Sequence, residues 1–193
     1  MNSNINFLKK EQRKFAIKKR LEINKIINLD NNFFYKRIIQ IEWFKKSKVI
    51  ASFLSIKTEI STKNINNFIQ ISGKILCLPI INENNDGTLV FKSYSNKDEL
   101  IIGKFGIEVP LNTDTVLPDI IFVPCLAFDI NGFRLGYGGG FYDKSIAYFK
   151  SIKHNFITVG LAYDDQKVDK VIHDDYDQKL DYILSEKQLY KVL

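Results

Sequence analysis

The chain has 193 residues, 45% of them hydrophobic and 26% charged, with a formal net charge of +6. That is enough apolar material for one domain with a sizeable core and too little for two comfortable ones, and no apolar run reaches the roughly 18 residues of a membrane span. The charge is uneven: residues 1–50 carry thirteen Lys/Arg against four Asp/Glu, a net of +9, and the remainder fifteen against eighteen, a net of −3, so an anionic partner (nucleic acid, a nucleotide or a polyanionic cofactor) is expected near the basic segment.

Met1–Lys10 shows no apolar stretch followed by a small-residue cleavage site, so no secretory signal is read and a cytoplasmic location is expected. From Asn6 to Ile27 the pattern is helical, with Leu8, Phe15, Ile17, Leu21 and Ile27 as the apolar positions and Lys and Arg between them. Asp30 and Asn31 make a break and an N-cap. A second helix is predicted over 32–46, with Phe34, Ile38, Ile41 and Phe44 along one side. Short β-prone runs follow at 48–55, 74–80 and 88–94, with a helix over 62–71 between the first two. Residues 82–118 are the least regular part, and their loops could overhang a site. Asp119 to Pro124 is strongly apolar and suits the middle of a sheet. A helix over 141–150, a strand over 156–162 and a last short strand over 181–184 complete the chain.

Strands alternating with helices predict the α/β class: a layered α/β/α sandwich with a largely parallel central sheet and the N-terminal helices packed on it. With no repeat and no Pro/Ser-rich linker, residues 1–193 read as a single domain. Cys77 and Cys125 lie far apart in apolar runs with no Cys-x-x-Cys pair, which predicts buried reduced thiols rather than a zinc or redox site. No Ser/His/Asp or Cys/His system stands out, and His154 and His173 are expected to be structural or solvent-facing.

The most informative stretch is DINGFRLGYGGGFYDK, residues 129–144. Gly136, Gly138, Gly139 and Gly140 fall after the apolar strand and before a helix. Glycine opens backbone angles closed to other residues and leaves no side chain in the way. Successive N–H groups can then cradle an anion, with the positive end of the next helix aimed at the same place, and a phosphate is the natural guest. The Gly-x-x-x-x-Gly-Lys-Ser/Thr and Gly-x-Gly-x-x-Gly motifs are both absent. Arg134 adds a planar, permanently charged group able to grip phosphate with two parallel bonds. Asp143, in the first turn of the following helix, either complements the helix dipole or holds a Mg²⁺ ion on the phosphates.

RLGYGGGFYD resembles the signature of the 5-formyltetrahydrofolate cyclo-ligase family, Arg-Leu-Gly-x-Gly-x-Gly-Tyr-Tyr-Asp, with Phe141 in place of the first Tyr. DIIFVPCLAFDINGF ahead of it, ASFLSIKTEIST at 51–62, KILCLPI at 74–80, GLAYDDQ at 160–166 and HDDYDQKLDYILSE at 173–186 are similar to further family segments in the same order. Two departures stand out. Glu108 lies one place early in the family's Phe-Gly-Ile-x-Glu-Pro pattern, and Gln12 stands where an apolar residue is common in the Lys-x-x-x-Arg segment of Lys9 and Arg13.

The resemblance implies an ATP-dependent, Mg²⁺-requiring closure of 5-formyltetrahydrofolate to 5,10-methenyltetrahydrofolate. It implies that Lys9, Arg13 and the run Arg134, Leu135, Gly136, Tyr137, Gly138, Gly139, Gly140, Phe141 and Tyr142 bind ATP. It further implies that Leu54, Glu59 and the loop from Tyr137 to Phe141 bind the folate. Asp143 and Asp177 would hold the metal, and Arg134 and Asp143 would be catalytic. Lys9 and Arg13, four apart, would share one helical face. Small-molecule substrates, a monomer, and neither nucleic acid nor membrane as partner are expected on this reading. The competing one is a basic RNA- or phosphate-binding module built on the +9 segment.

Overall fold

In the structure, a computed structural model, residues 2–26, 33–82, 87–111 and 113–192 are described. The Asp30–Asn31 break and Ile27 lie outside them. Five helices are described: α1 (Asn2–Ile26), α2 (Phe33–Ile38), α3 (Glu42–Lys46), α4 (Lys63–Ile71) and α5 (Phe141–Ser151). The strands are β1 (Val49–Ala51), β2 (Ile75–Ile81), β3 (Leu89–Ser93), β4 (Leu100–Ile102), β5 (Glu108–Pro110), β6 (Ile120–Pro124), β7 (Ala127–Phe128), β8 (Arg134–Leu135), β9 (Ile157–Leu161), β10 (Tyr182–Leu184) and β11 (Leu189–Lys191).

Seven strands form the central sheet in the order β11-β10-β9-β6-β1-β2-β3. The inner pairings are parallel, and the edge strands β3 and β11 run antiparallel to their neighbours. The side-chain period of two divides the core between the two faces. Ile50, Ile120 and Phe122 point to the layer that holds Phe34, Ile38, Phe44, Ile65 and Ile69 from α2, α3 and α4. Ala51, Ile121 and Val123 point the other way, to Ile146 and Phe149 of α5. This is the layered α/β/α sandwich expected. Each fully buried Ile or Phe contributes about 1.5–3 kcal/mol. Both cysteines are free and buried, and burial pushes the Cys125 thiol up to about 12. Among the described residues no helix is long and apolar enough to cross a membrane.

Three details differ from the sequence reading. The helix expected over 32–46 is two short helices, because the chain turns at Ile39–Gln40 and Ile41 is extended. Two small hairpins, β4–β5 and β7–β8, and the edge strand β11 lie in stretches where no strand was predicted. Most consequential, the apolar positions of α1 are not its buried side. Leu8, Phe15, Ile17 and Leu21 are exposed, Phe15 at 65%, while Lys9, Ala16, Arg20 and Ile23 are buried. Ala16 packs with Leu126, Ala127, Leu135 and Val171, so the middle of α1 lies against the loops beyond β6 rather than flat on the sheet.

Candidate active site

Along the chain the sheet grows from β1 towards β2, then restarts at β6 on the other side of β1. The crevice beyond the carboxyl ends of β1 and β6 is therefore the topological switch point, where open α/β sheets bind ligands. Five segments meet around it: residues 52–59 after β1, residue 125 after β6, the glycine loop, the loop at 173–178, and α1 across the top.

The glycine loop leaves β8 and enters α5. Arg134, in β8, is buried. Its Nη2 lies 2.9 Å from Asp143 Oδ1, and its Nη1 donates to the Gln178 carbonyl at 2.9 Å. Asp143 Oδ1 also accepts from the Gln178 amide at 2.9 Å, so the loop that carries Asp177 is stitched to the first turn of α5. Arg134 and Asp143 thus face each other.

Gly138 has φ +104°, closed to ordinary L-residues, and a Cβ there would sit 3.2 Å from Arg13 Cζ. At Gly139 a Cβ would come within 2.3 Å of the Phe141 ring, so the ring roofs the bare backbone. Gly138→Ala is expected to destabilise the protein by about 1–3 kcal/mol through backbone strain. Gly136→Ala, whose Cβ meets nothing within 4 Å, should lose far less. Urea unfolding of both variants checks this, and equal midpoints would contradict it.

Three cations of α1 face inward. Lys9 Nζ lies 2.7 Å from Asp174 Oδ2 and 2.5 Å from Asp177 Oδ2. Burial opposes its charge, but the hydrogen bonds to Asp174 and Asp177 outweigh burial and hold its pKa above the usual lysine value. Arg13 Nε donates to the Gly136 carbonyl at 3.0 Å; among the described contacts its other donors carry no hydrogen bond, which leaves them for an anion. Arg20 was missed in the sequence, where it merges with the lysine-rich run. It is 2% exposed and donates to Thr58 Oγ1 at 3.1 Å, to the Cys125 carbonyl at 3.2 Å, and to the Tyr137 hydroxyl.

Glu59, 8% exposed, closes the turn after β1 by accepting the Ile56 amide at 3.0 Å. Burial pushes its pKa up, against the Ile56 N–H, Arg20 and Lys57, which favour the charged form. Tyr142 is near it: burial first, then Glu59, drives the phenol well above the ordinary tyrosine range. Its ring packs against the core cluster that holds Ile146 and Phe149 of α5. The Leu135 side chain goes into the small core with Ala16, and its carbonyl accepts the Leu126 amide at 2.7 Å, so it offers a nucleotide no side-chain contact. Leu54 is half-buried between Phe53 and the Glu59 turn. The ring of Phe105, in the irregular 82–118 stretch, lies 6.0 Å from that of Phe141, so this stretch does reach the glycine loop. His154 bonds to the Pro118 carbonyl and stacks on Phe156, and His173 stacks on Phe133, both structural contacts.

Among the described residues no cluster of three or more His, Cys, Asp or Glu side chains could hold a metal. Magnesium asks for less: one or two carboxylates, with phosphate oxygens and water completing its shell. Asp143 Oδ2 and Asp177 Oδ1 carry no described hydrogen bond, because their contacts fall on the other oxygen of each carboxylate. These hard oxygen donors fit that demand.

The model of the 5-formyltetrahydrofolate cyclo-ligase family matches residues 6–186. The chain is 37% identical to the 5-formyltetrahydrofolate cyclo-ligase of Haemophilus influenzae over 145 residues, 72% of this chain and 76% of that one. It is 32% identical to that of Escherichia coli K12 over 147 residues, 74% and 80% of the two chains. The solved structure of 5,10-methenyltetrahydrofolate synthetase from Aquifex aeolicus superposes with a TM-score of 0.75 at 29% identity, covering 96% of this chain and 93% of that one.

Proposed function

This chain belongs to the 5-formyltetrahydrofolate cyclo-ligase family and is a 5,10-methenyltetrahydrofolate synthetase, and from that premise we propose how its residues divide the work and that ATP and Mg²⁺ drive the reaction. The observation that carries the assignment of roles is the facing pair Arg134–Asp143 at 2.9 Å beneath a glycine loop roofed by α1 cations.

The chemistry has two stages. The formyl oxygen on the 5-nitrogen attacks the γ-phosphate of ATP, and ADP leaves. The 10-nitrogen then attacks the activated formyl carbon and gives up its proton, the ring closes, and the oxygen departs with phosphate. An amide oxygen is a poor leaving group and phosphate a good one, so the protein has chiefly to align the two substrates and neutralise charge. The backbone amides of residues 136–140 and the free donors of Arg13 would hold the phosphates. Arg134 would face the transferring phosphoryl group with the N–H groups not spent on Asp143 and Gln178. Asp143 and Asp177 would hold Mg²⁺, which when bound neutralises phosphate charge. Lys9, now between Asp174 and Asp177, sits one helical turn from Arg13 and is placed to exchange a carboxylate for a phosphate oxygen.

On the other side of the crevice, Glu59 can accept two parallel hydrogen bonds from the amino and ring N–H groups of a pterin. Leu54 and the aromatic rings of Tyr137 and Phe141 would flank that ring system. One domain spanning the chain is proposed with this, supported by a family match that leaves only short ends uncovered.

The test is direct. Purified protein mixed with 5-formyltetrahydrofolate, ATP and Mg²⁺ should develop the near-ultraviolet band of the methenyl product. The band should fail to appear when ATP is omitted or Mg²⁺ is chelated. Product formation without nucleotide would overturn the proposed energetics.

A further inference from the structure

We infer that Arg20 is a positioning residue of the active site, which fixes Tyr137 of the glycine loop and the Thr58–Glu59 turn in one relation across the crevice. The inference rests on the reading above, in which those two segments hold the folate between them.

A guanidinium with almost no access to water is expensive to bury unless its donors are met. Arg20 has no carboxylate within ion-pair distance among the described residues. Its bonds go instead to three neutral oxygens on three separate segments: Thr58 Oγ1 after β1, the Cys125 carbonyl after β6, and the Tyr137 hydroxyl in the glycine loop. The first two anchor it to the turn after β1 and to the residue that follows β6. The third reaches a side chain that is itself 43% exposed, so a rigid donor holds the polar tip of a ring whose face remains available. Without that bond the Tyr137 ring would be free to change rotamer at the mouth of the site.

The helix geometry supports this division of labour. Arg13 and Arg20 are seven residues apart, two turns along one face of α1. Arg13 binds the Gly136 carbonyl, and Arg20 binds the side chain of the next residue. One helix therefore pins two consecutive residues of the loop, one through the backbone and one through the ring. Lysine could supply the charge at position 20 but not three diverging planar donors. The Arg20 guanidinium carbon also lies 5.5 Å from the Tyr137 ring centroid, and Lys57 Nζ stands 5.7 Å from it.

The experiment is a double-mutant cycle with Tyr137→Phe and Arg20→Lys. Tyr137→Phe deletes one hydroxyl from a partly exposed ring and leaves Arg20 anchored at Thr58 and Cys125, so the fold survives it. Each single variant should lower kcat/KM for 5-formyltetrahydrofolate roughly 10- to 100-fold through mispositioning, with the KM for ATP changed less than threefold. The double variant should be no worse than about threefold below the weaker single variant, since both remove the same constraint. Calorimetric titration with 5-formyltetrahydrofolate in the absence of ATP should show the same non-additivity in affinity, a readout independent of turnover.

Losses that multiply in the double variant would overturn the inference. So would a Tyr137→Phe enzyme with wild-type kcat/KM and folate affinity, while the cyclo-ligase assignment stood. Wild-type protein that forms no methenyl band at all would remove the assignment and, with it, this inference.

Discussion

Arg134→Ala is expected to lower the rate of ATP-dependent methenyl formation by about 10²–10³-fold, the loss typical of deleting one preorganised donor to developing charge. The folate should still bind, because Glu59 and its turn do not touch Arg134. The substitution should also cost about 1–3 kcal/mol of stability, since it strands the partly buried Asp143 carboxylate and frees the Gln178 carbonyl. Arg134→Lys should fall between, keeping a charge and losing the fork that bonds Asp143 and Gln178 together. Asp143→Asn separates the two proposed roles of that carboxylate. The amide oxygen can still accept the Gln178 N–H, so the 173–178 loop should stay docked, but the negative charge is gone. The saturation curve for Mg²⁺ should therefore shift to higher concentration in Asp143→Asn and not in Arg134→Ala. Rate measured against Mg²⁺ concentration in both variants checks this. Full activity in either variant would remove its residue from the chemistry.

The sheet was legible because its signal is strong and local. Ile120 to Val123 are all buried, and an unbroken β-branched and aromatic run of that length has few other uses. The glycine loop was legible for a different reason: four glycines between a strand and a helix constrain the backbone almost independently of context. The small hairpins were not, because two- and three-residue strands carry no periodicity to read.

The apolar residues of α1 do not mark its buried side, for a physical reason. Periodicity analysis assumes that apolar residues mark the buried side of a helix. On α1 the buried side crosses a binding crevice and needs cations, so Lys9, Arg13 and Arg20 turn inward onto carboxylates, carbonyls and two hydroxyls. Phe15 and Leu21 are left outside. The signal was present as a stripe of basic residues at positions 9, 13 and 20, spaced one and two turns apart. It was masked by five further lysines on the same helix, and only Lys9 and Arg13 were separated from that background by the resemblance. Arg20 had no such marker, because its partners Thr58, Cys125 and Tyr137 come together only in the folded chain.

Glu59→Gln should weaken 5-formyltetrahydrofolate binding by roughly 10- to 100-fold, the worth of a charge-assisted hydrogen bond, and yet make the free protein more stable at neutral pH. The two effects share one cause. Burial raises the Glu59 pKa in spite of the opposing Ile56 N–H, Arg20 and Lys57, so desolvation outweighs the favourable contacts. A carboxyl group whose folded pKa lies above its unfolded value contributes stability that is complete below the unfolded pKa and lost as pH rises through the folded one. Above that range the native protein carries a desolvated charge that the unfolded chain keeps in water. Glutamine removes the charge, and its oxygen can still accept the Ile56 amide, so the turn survives. The melting temperature of Glu59→Gln should therefore exceed that of the wild type at neutral pH, and the gap should close as pH falls towards the ordinary carboxylate range. Wild-type folate affinity should weaken as pH drops through the raised Glu59 pKa, and the variant should lack that limb. A variant that melts below wild type at neutral pH while binding folate normally would make Glu59 a structural acceptor for Ile56 and nothing more. Higher stability with weaker binding is the result required of a carboxylate held dry for a ligand, because the pterin N–H groups then supply the solvation that the free protein withholds.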